Sequence, residues 1–154
     1  MGFDVRWAKR EEWDEITHLV WKTFETFNRR DCSAEGAESF RKFVMSDELR
    51  EAYLDGRYPV LVARDGDRVD GVGSIRGARH LSLVFVAEEY HHQGVGRELV
   101  EELCGFLARD RGEHCMTLTA SPYAKDFYKK LGFVETEAGP YPPGLPVTFM
   151  EKRF

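Results

Sequence analysis

The sequence predicts an α/β fold: a single domain with a mixed central β-sheet flanked by helices. Three observations carry this. Apolar residues recur at three- and four-residue steps as far as Leu54. From Val60 they run together or alternate, as strands do. Beyond Gly96, helical and strand-like segments take turns to the end of the chain. At 154 residues the chain is long enough to bury a sizeable core, and residues 1–154 are expected to form one domain.

Each element follows in order. "DVRWA" is a short strand. Trp13, Ile16, Leu19, Val20, Phe24 and Phe27 mark one face of an amphipathic helix. "NRRDCSAEGAES" breaks that pattern and reads as a loop. Phe40, Phe43, Val44, Leu49, Tyr53 and Leu54 predict a second helix, less regular than the first and bent. Val60–Ala63 and Val69–Ile75 flank the turn pair Asp65-Gly66, which predicts a β-hairpin. In "LSLVFV", Leu81, Leu83 and Phe85 are expected on one face, with Ser82, Val84 and Val86 on the other. A strand apolar on both faces belongs at the centre of a covered sheet. Val95, Leu99, Leu103, Phe106 and Leu107 stripe a helix that ends near Gly112. "CMTLTA" is a fifth strand. In "SPYAKDFYKKLGF", Ser121 is the expected N-cap and Pro122 the first helical residue. Ala124, Phe127, Tyr128 and Leu131 face inward, and Gly132 ends the helix. "FVETE" and "PVTFMEKRF" close the sheet on either side of "GPYPPGLP". The expected order is βααβββαβαββ.

Composition narrows the function classes. Hydrophobic residues make up 42% and charged residues 32%, a globular balance. The net charge of −5 argues against nucleic acid as the partner. No apolar run approaches the roughly 18 residues of a bilayer span, so no membrane partner is expected. "MGFDVRWAKREEW" has no apolar signal region, and Arg6 stands where a myristoylation signal needs Ser or Thr. A cytoplasmic protein is expected. Cys32, Cys104 and Cys115 are far apart and form no CxxC pair, which argues against a disulfide framework or a zinc site. Cys104 falls in a helix stripe as a small core residue. The five histidines show no ligand spacing, so no metal is expected. His18 and His114 are assigned to solvated surfaces; His80, before the central strand, is a weaker candidate for an acceptor cleft.

"HHQGVGREL" (91–99) carries the first functional signal. Gly94 and Gly96 stand between a central strand and a helix. A helix N-terminus presents bare N–H groups backed by the positive end of the helix dipole, which suits an anion. Glycine, lacking Cβ, lets a phosphate approach the backbone. No Gly-Lys-Ser/Thr follows, so a magnesium-bound triphosphate is poorly supported, and a pyrophosphate held by backbone donors is better supported. An ordinary strand-to-helix turn is the plainer alternative.

"LSLVFVAEEYHHQGVGREL" resembles motif A of the GCN5-related N-acetyltransferases (GNAT), and "SPYAKDFYKKLGF" resembles that family's late motif through Ala124, Phe127-Tyr128 and Gly132-Phe133. The resemblance implies acetyl-CoA as cosubstrate. Its pyrophosphate would sit on His91, His92, Gln93, Gly94, Val95 and Gly96. Its pantetheine amides would pair with backbone near Phe85 and Val86, in the manner of an added strand. Two positions depart from the pattern: His91 replaces the usual Gln or Arg, and Ser121 replaces the usual Asn, with a shorter reach toward the cofactor. Tyr128 matches the family's general acid, and a phenol near pKa ~10 can protonate a departing thiolate at neutral pH. Glu88 and Glu89, between strand and glycines, are the candidates for the base, acting directly or through water. The family builds its acceptor pocket from the first two helices and the final loop, which here hold Trp21, Phe24, Phe27, Tyr141 and Pro142-Pro143. The implied function is direct acetyl transfer to a small-molecule or peptide amine, with C-terminal edge strands free to pair in a homodimer. Alternatives are a catalytically silent acyl-CoA sensor and a nucleotide-binding protein.

Overall fold

The computed structural model describes residues 3–137 and 144–154. Seven strands form one mixed sheet: β1 (Asp4–Trp7), β2 (Val60–Asp65), β3 (Arg68–Arg76), β4 (His80–Val86), β5 (Cys115–Ala120), β6 (Val134–Thr136) and β7 (Thr148–Arg153). Their order across the sheet is β1-β2-β3-β4-β5-β7-β6. Every neighbouring pair is antiparallel except β4 and β5.

Among the described residues, five α-helices cover the two faces: α1 (Trp13–Phe27), α2 (Ala34–Val44), α3 (Asp47–Leu54), α4 (Val95–Asp110) and α5 (Lys125–Lys130). One core lies between the sheet and α4 and α5, where Val95, Leu99, Leu103 and Leu107 meet Ile75, Leu81, Leu118 and Met150. The other lies beneath α1, α2 and α3, where Ile16, Val20, Val44 and Leu49 meet Val62, Val72 and Leu83. Both α4 and α1 place an apolar stripe at helical period on the sheet, as their spacing predicts.

Local chemistry corrected three expectations. The bent second helix is two helices, because Ser46 starts a new one: its Oγ accepts from the Leu49 N–H at 3.2 Å, and Asp47 and Glu48 fill the first turn. Helix α2 begins inside the expected loop, because Ser33 Oγ accepts from the Gly36 N–H at 2.9 Å. Helix α5 starts at Lys125, not at Pro122. Ser121 supports it through its carbonyl, which accepts from the Ala124 and Lys125 N–H groups, and the helix has no side-chain cap.

The central strand also departs from simple alternation. Ser74 pairs with Leu83 and Ile75 with Leu81, so Ser82 is the extra residue of a β-bulge. The bulge reverses the side-chain phase. Leu81 therefore joins Val84 and Val86 on the α4 face, while Leu83 and Phe85 point to the α1 face. Ser82 turns the same way as Leu83, and its Oγ accepts from the Tyr58 hydroxyl at 2.8 Å.

Candidate active site

The strands β4 and β5 pair only at His80–Thr117 and Leu81–Leu118. Past Leu81, β4 runs on to Val86 without β5 beside it, while β5 keeps its antiparallel pairing with β7 as far as Ala120. The sheet is therefore split along the edge of β4 from Ser82 onward. A cavity of about 760 Å³ fills the split. It is lined by Leu81–Val86 and Thr119, by α4 and α5 from one face of the sheet, and by α1 and α2 from the other. Backbone groups on the open edge of a strand accept an extended ligand as a further strand.

One wall is the segment from His91 to Arg97. Gly94 adopts φ +84, a left-handed conformation that a Cβ would strain, and it has open space around it. His92, at φ 64, is also left-handed. These two residues turn the chain from the 3-10 turn at Glu88–Tyr90 into α4. The first helical bond of α4 runs from the Glu98 N–H to the Gly94 carbonyl at 3.0 Å. The N–H groups of Val95, Gly96 and Arg97 thus have no intrahelical acceptor. Gly96 lines the cavity and has a packing reason of its own to lack a Cβ. A Cβ there would sit 3.2 Å from Phe127 Cζ and 3.6 Å from Val86 Cγ2, so the bare Cα lets α5 pack against the first turn of α4.

His91 does not project into the cavity as a free side chain. Its Nε2 lies 2.7 Å from the Val86 carbonyl oxygen, which can only accept, so Nε2 carries the proton. Nδ1 then faces the Tyr123 hydroxyl at 3.4 Å. The imidazole also packs on Phe27, with centroids 4.7 Å apart. The Val86 carbonyl expected to meet a pantetheine amide is therefore already engaged. Gln93 stands outside the cavity lining, and its Nε2 donates to the Glu89 carbonyl at 2.9 Å. Ser121 lines the cavity. So does Arg97, which the sequence reading did not single out; a cation in the first turn after a Gly-x-Gly pair is the signal that could have found it. Lys130, on α5, is a second lining cation.

Tyr128 lies on the inner face of α5, packed edge-on to Phe127 at 5.1 Å and Phe133 at 5.6 Å between centroids. It is only 7% exposed, yet it lines the cavity. Burial alone pushes its phenol above the ordinary tyrosine range. Among the described residues, Asp70 Oδ2 is the side-chain polar atom sealed from solvent without a partner, so the Tyr128 hydroxyl is not sealed in this way. A phenol kept fully protonated at the edge of a cavity can donate a proton there.

Glu88 and Glu89 are not brought to this site. Both are exposed and neither lines the cavity. The turn that carries them faces the β2–β3 hairpin instead: Glu89 lies 3.7 Å from Arg68 Nη1, and Arg68 Nε is 2.6 Å from Asp70. Tyr90 anchors the same turn through its hydroxyl to Asp65. His80 sits at the closed end of the split, where Nδ1 is 2.9 Å from Thr117 Oγ1, and burial pulls its pKa below the ordinary value. Of the residues expected around the acceptor, Phe24 and Phe27 line the cavity and Trp21 stacks on Phe24 at 5.4 Å. Tyr141, Pro142 and Pro143 lie outside the described residues. Among the described residues, no three His, Cys, Asp or Glu side chains converge in a way that could hold a metal ion, and no helix is long and apolar enough to cross a membrane.

Comparison with known proteins is consistent with this geometry. The acetyltransferase (GNAT) domain family matches residues 28–154. The fold is similar to that of a GCN5-related N-acetyltransferase from Rhodopseudomonas palustris, at 24% identity and TM-score 0.85, over 100% of this chain and 97% of the other. It is similar to the PaiA N-acetyltransferase of Thermoplasma acidophilum in complex with coenzyme A, at 18% identity and TM-score 0.83, over 100% of both chains. A spermidine N-acetyltransferase from Vibrio cholerae aligns at 21% identity and TM-score 0.65, over 98% of this chain and 93% of that one. The comparison with curated proteins found no match.

Proposed function

The chain belongs to the GNAT acetyltransferase family, enzymes of the acyltransferase class that acetylate amines, and from that premise we propose that residues 1–154 act as one domain that takes acetyl from acetyl-CoA. The observation that carries this reading is the split of the sheet. The pairing of β4 with β5 ends after two residues, and the opening leads to the uncapped N-terminus of α4. An extended amide-bearing chain with a pyrophosphate at one end fits both features.

The residues present fit the group. The N–H groups of Val95, Gly96 and Arg97 would hold the pyrophosphate, helped by the positive end of the α4 dipole and by the Arg97 guanidinium. The open edge of β4 at Val84 and Phe85 would hold the pantetheine amides. His91, which the family pattern suggests for a phosphate contact, instead fixes the end of β4 through Val86 and orders the wall. When bound, acetyl-CoA supplies an activated acetyl thioester. Tyr128 then serves as the general acid, because burial keeps its hydroxyl protonated and its ring fixed by Phe127 and Phe133. The walls from α1 and α2 orient the amine and exclude bulk water from the reacting end. The ammonium group of the acceptor loses its proton to water, and Glu88 and Glu89, outside the cavity, take no part.

Free thiol released from acetyl-CoA, measured across a panel of primary amines, tests this reading, with calorimetry against acetyl-CoA and ATP–magnesium beside it. Amine-stimulated thiol release with matching acetylated product is expected. Binding without release would make the protein a sensor, and preference for ATP–magnesium would overturn the assignment of the site.

A further inference from the structure

The end of the cavity beneath α1 and α2 differs in character from the end at α4. Phe24 and Phe40 stack with centroids 4.4 Å apart and planes within 19°. Trp21 continues the stack on one side at 5.4 Å, and Phe85 of β4 lies on the other at 6.0 Å from Phe40. Phe24, Phe40 and Phe85 all line the cavity, and Phe40 and Phe85 are only partly buried. Phe24 is buried with both its faces covered by Trp21 and Phe40, so Phe40 and Phe85 are the rings that this end of the cavity presents.

The polar side chains at this end are Thr23, Asn28, Asp31, Cys32 and Ser82, and three of them are committed. The Thr23 hydroxyl donates to the Leu19 carbonyl at 2.7 Å, the Cys32 thiol donates to the Asn28 carbonyl at 3.4 Å, and Ser82 accepts from Tyr58. Among the described lining residues, the lysine and arginine cations, Arg97 and Lys130, come from α4 and α5; of the two carboxylates, Asp31 comes from the α1–α2 connection and Asp126 from α5. Leu145, Pro146 and Val147, which line the cavity before β7, carry no charge. A polyamine, with cationic centres spaced along its length, needs several separated carboxylates. An amino sugar needs many free donors and acceptors. Neither demand is met at this end, where Asp31 is the lining carboxylate beside the Phe40 and Phe85 rings, whereas a flat apolar body packs against those rings and leaves its ammonium to Asp31.

We propose that the acceptor is a primary amine carried on a short chain from an aromatic ring, seated against Phe40 and Phe85. This rests on the reading of the site as an acetyltransferase. The amine nitrogen bonds to the acetyl carbon as the C–S bond breaks. The nitrogen's protons pass to water, the Tyr128 hydroxyl protonates the departing thiolate, and the phenol is reprotonated from solvent. The products are an arylalkyl acetamide and free CoA.

The experiment compares kcat/KM at saturating acetyl-CoA for 2-phenylethylamine, tryptamine, n-propylamine, spermidine, kanamycin and an alanine-initiated peptide, read by thiol release and product mass. The two aromatic amines should exceed each of the others by about tenfold or more. Phe40→Leu, which keeps an apolar side chain but removes the ring face, should raise KM for 2-phenylethylamine several-fold while moving KM for n-propylamine less than twofold. Phe40→Ala should have the same selectivity with a larger effect, and where it does not fold Phe40→Leu decides. Preference for any other class, or equal loss for aromatic and aliphatic amines in the variant, overturns the acceptor class and leaves acetyl transfer standing. Acetyl-CoA binding with no thiol release from any amine overturns the acetyltransferase reading itself.

Discussion

Replacing Tyr128 by Phe removes one oxygen and leaves the ring where it is. The ring's contacts with Phe127 and Phe133 need no hydroxyl. Burial is the sole cause raising the phenol's pKa, with no hydrogen bond contributing. Folding should therefore change by less than about 1 kcal/mol, since no buried partner is left unsatisfied. Truncation to Ala would instead empty a core position and cost about 3–5 kcal/mol, which makes Phe the informative variant. If the hydroxyl protonates the leaving thiolate, its loss removes a general acid, a change of about 10²-fold or more in kcat, or roughly 3 kcal/mol in the barrier. Acetyl-CoA affinity by calorimetry and the melting temperature should stay near wild type while thiol release slows. The wild-type rate should also show no alkaline limb from this group until well above pH ~10, because burial moves the ionisation upward. A Tyr128→Phe enzyme with kcat within threefold of wild type would return Tyr128 to the role of a packing residue.

Three further outcomes follow from the same geometry. Gly94→Ala should lose about 1 kcal/mol by thermal melting and bind CoA more weakly, with Gly94→Asn closer to wild type, because Asn tolerates the left-handed backbone better; equal melts for all three would remove strain as the reason for glycine. Arg97→Gln should weaken CoA binding several-fold at low ionic strength, and the difference should shrink in ~0.5 M salt; an unchanged affinity would leave the phosphates to the backbone alone. Glu12, 9% exposed and held by Arg6 at 2.8 Å and Arg64 at 2.7 Å, has its pKa lowered to about 2, chiefly by the Arg6 hydrogen bond. A lowered folded-state pKa stabilises above the unfolded value of 4.5 and is lost as pH falls toward 2, so Glu12→Gln should cost on the order of 3 kcal/mol at pH 7, and the gap should close through that window in pH-dependent melts.

The parts of the fold that were legible in the sequence are those set by local period or turn chemistry. The α4 stripe from Val95 to Leu107 and the Asp65-Gly66 hairpin belong here. The glycine turn was also visible, but its two glycines were read alike. Gly94 answers to a dihedral and Gly96 also to the ring of Phe127, a residue that a helix 31 positions later brings into contact. The bulge at Ser82 was invisible because an extra residue in a strand has no composition of its own; it shows only in the pairing with β3. The split between β4 and β5 depends on where β7 holds β5, which no window of sequence contains. Glu88 and Glu89 lie close in the chain to the chemistry, but their turn faces the β2–β3 hairpin, where Glu89 is 3.7 Å from Arg68 Nη1. Ser46 before Asp47 and Glu48 was a readable start signal for α3 that the apolar spacing obscured.

The split beside β4 and the first turn of α4, as the seat of a CoA thioester, can be probed directly. Titrating uniformly ¹⁵N-labelled protein with CoA, and separately with ATP–magnesium, tests it by following backbone amides. CoA should shift the amides of Val84, Phe85, Val95, Gly96 and Arg97 most and saturably, while ATP–magnesium at equal concentration should move them little. Shifts confined to other elements, or an equal response to ATP–magnesium, would contradict it.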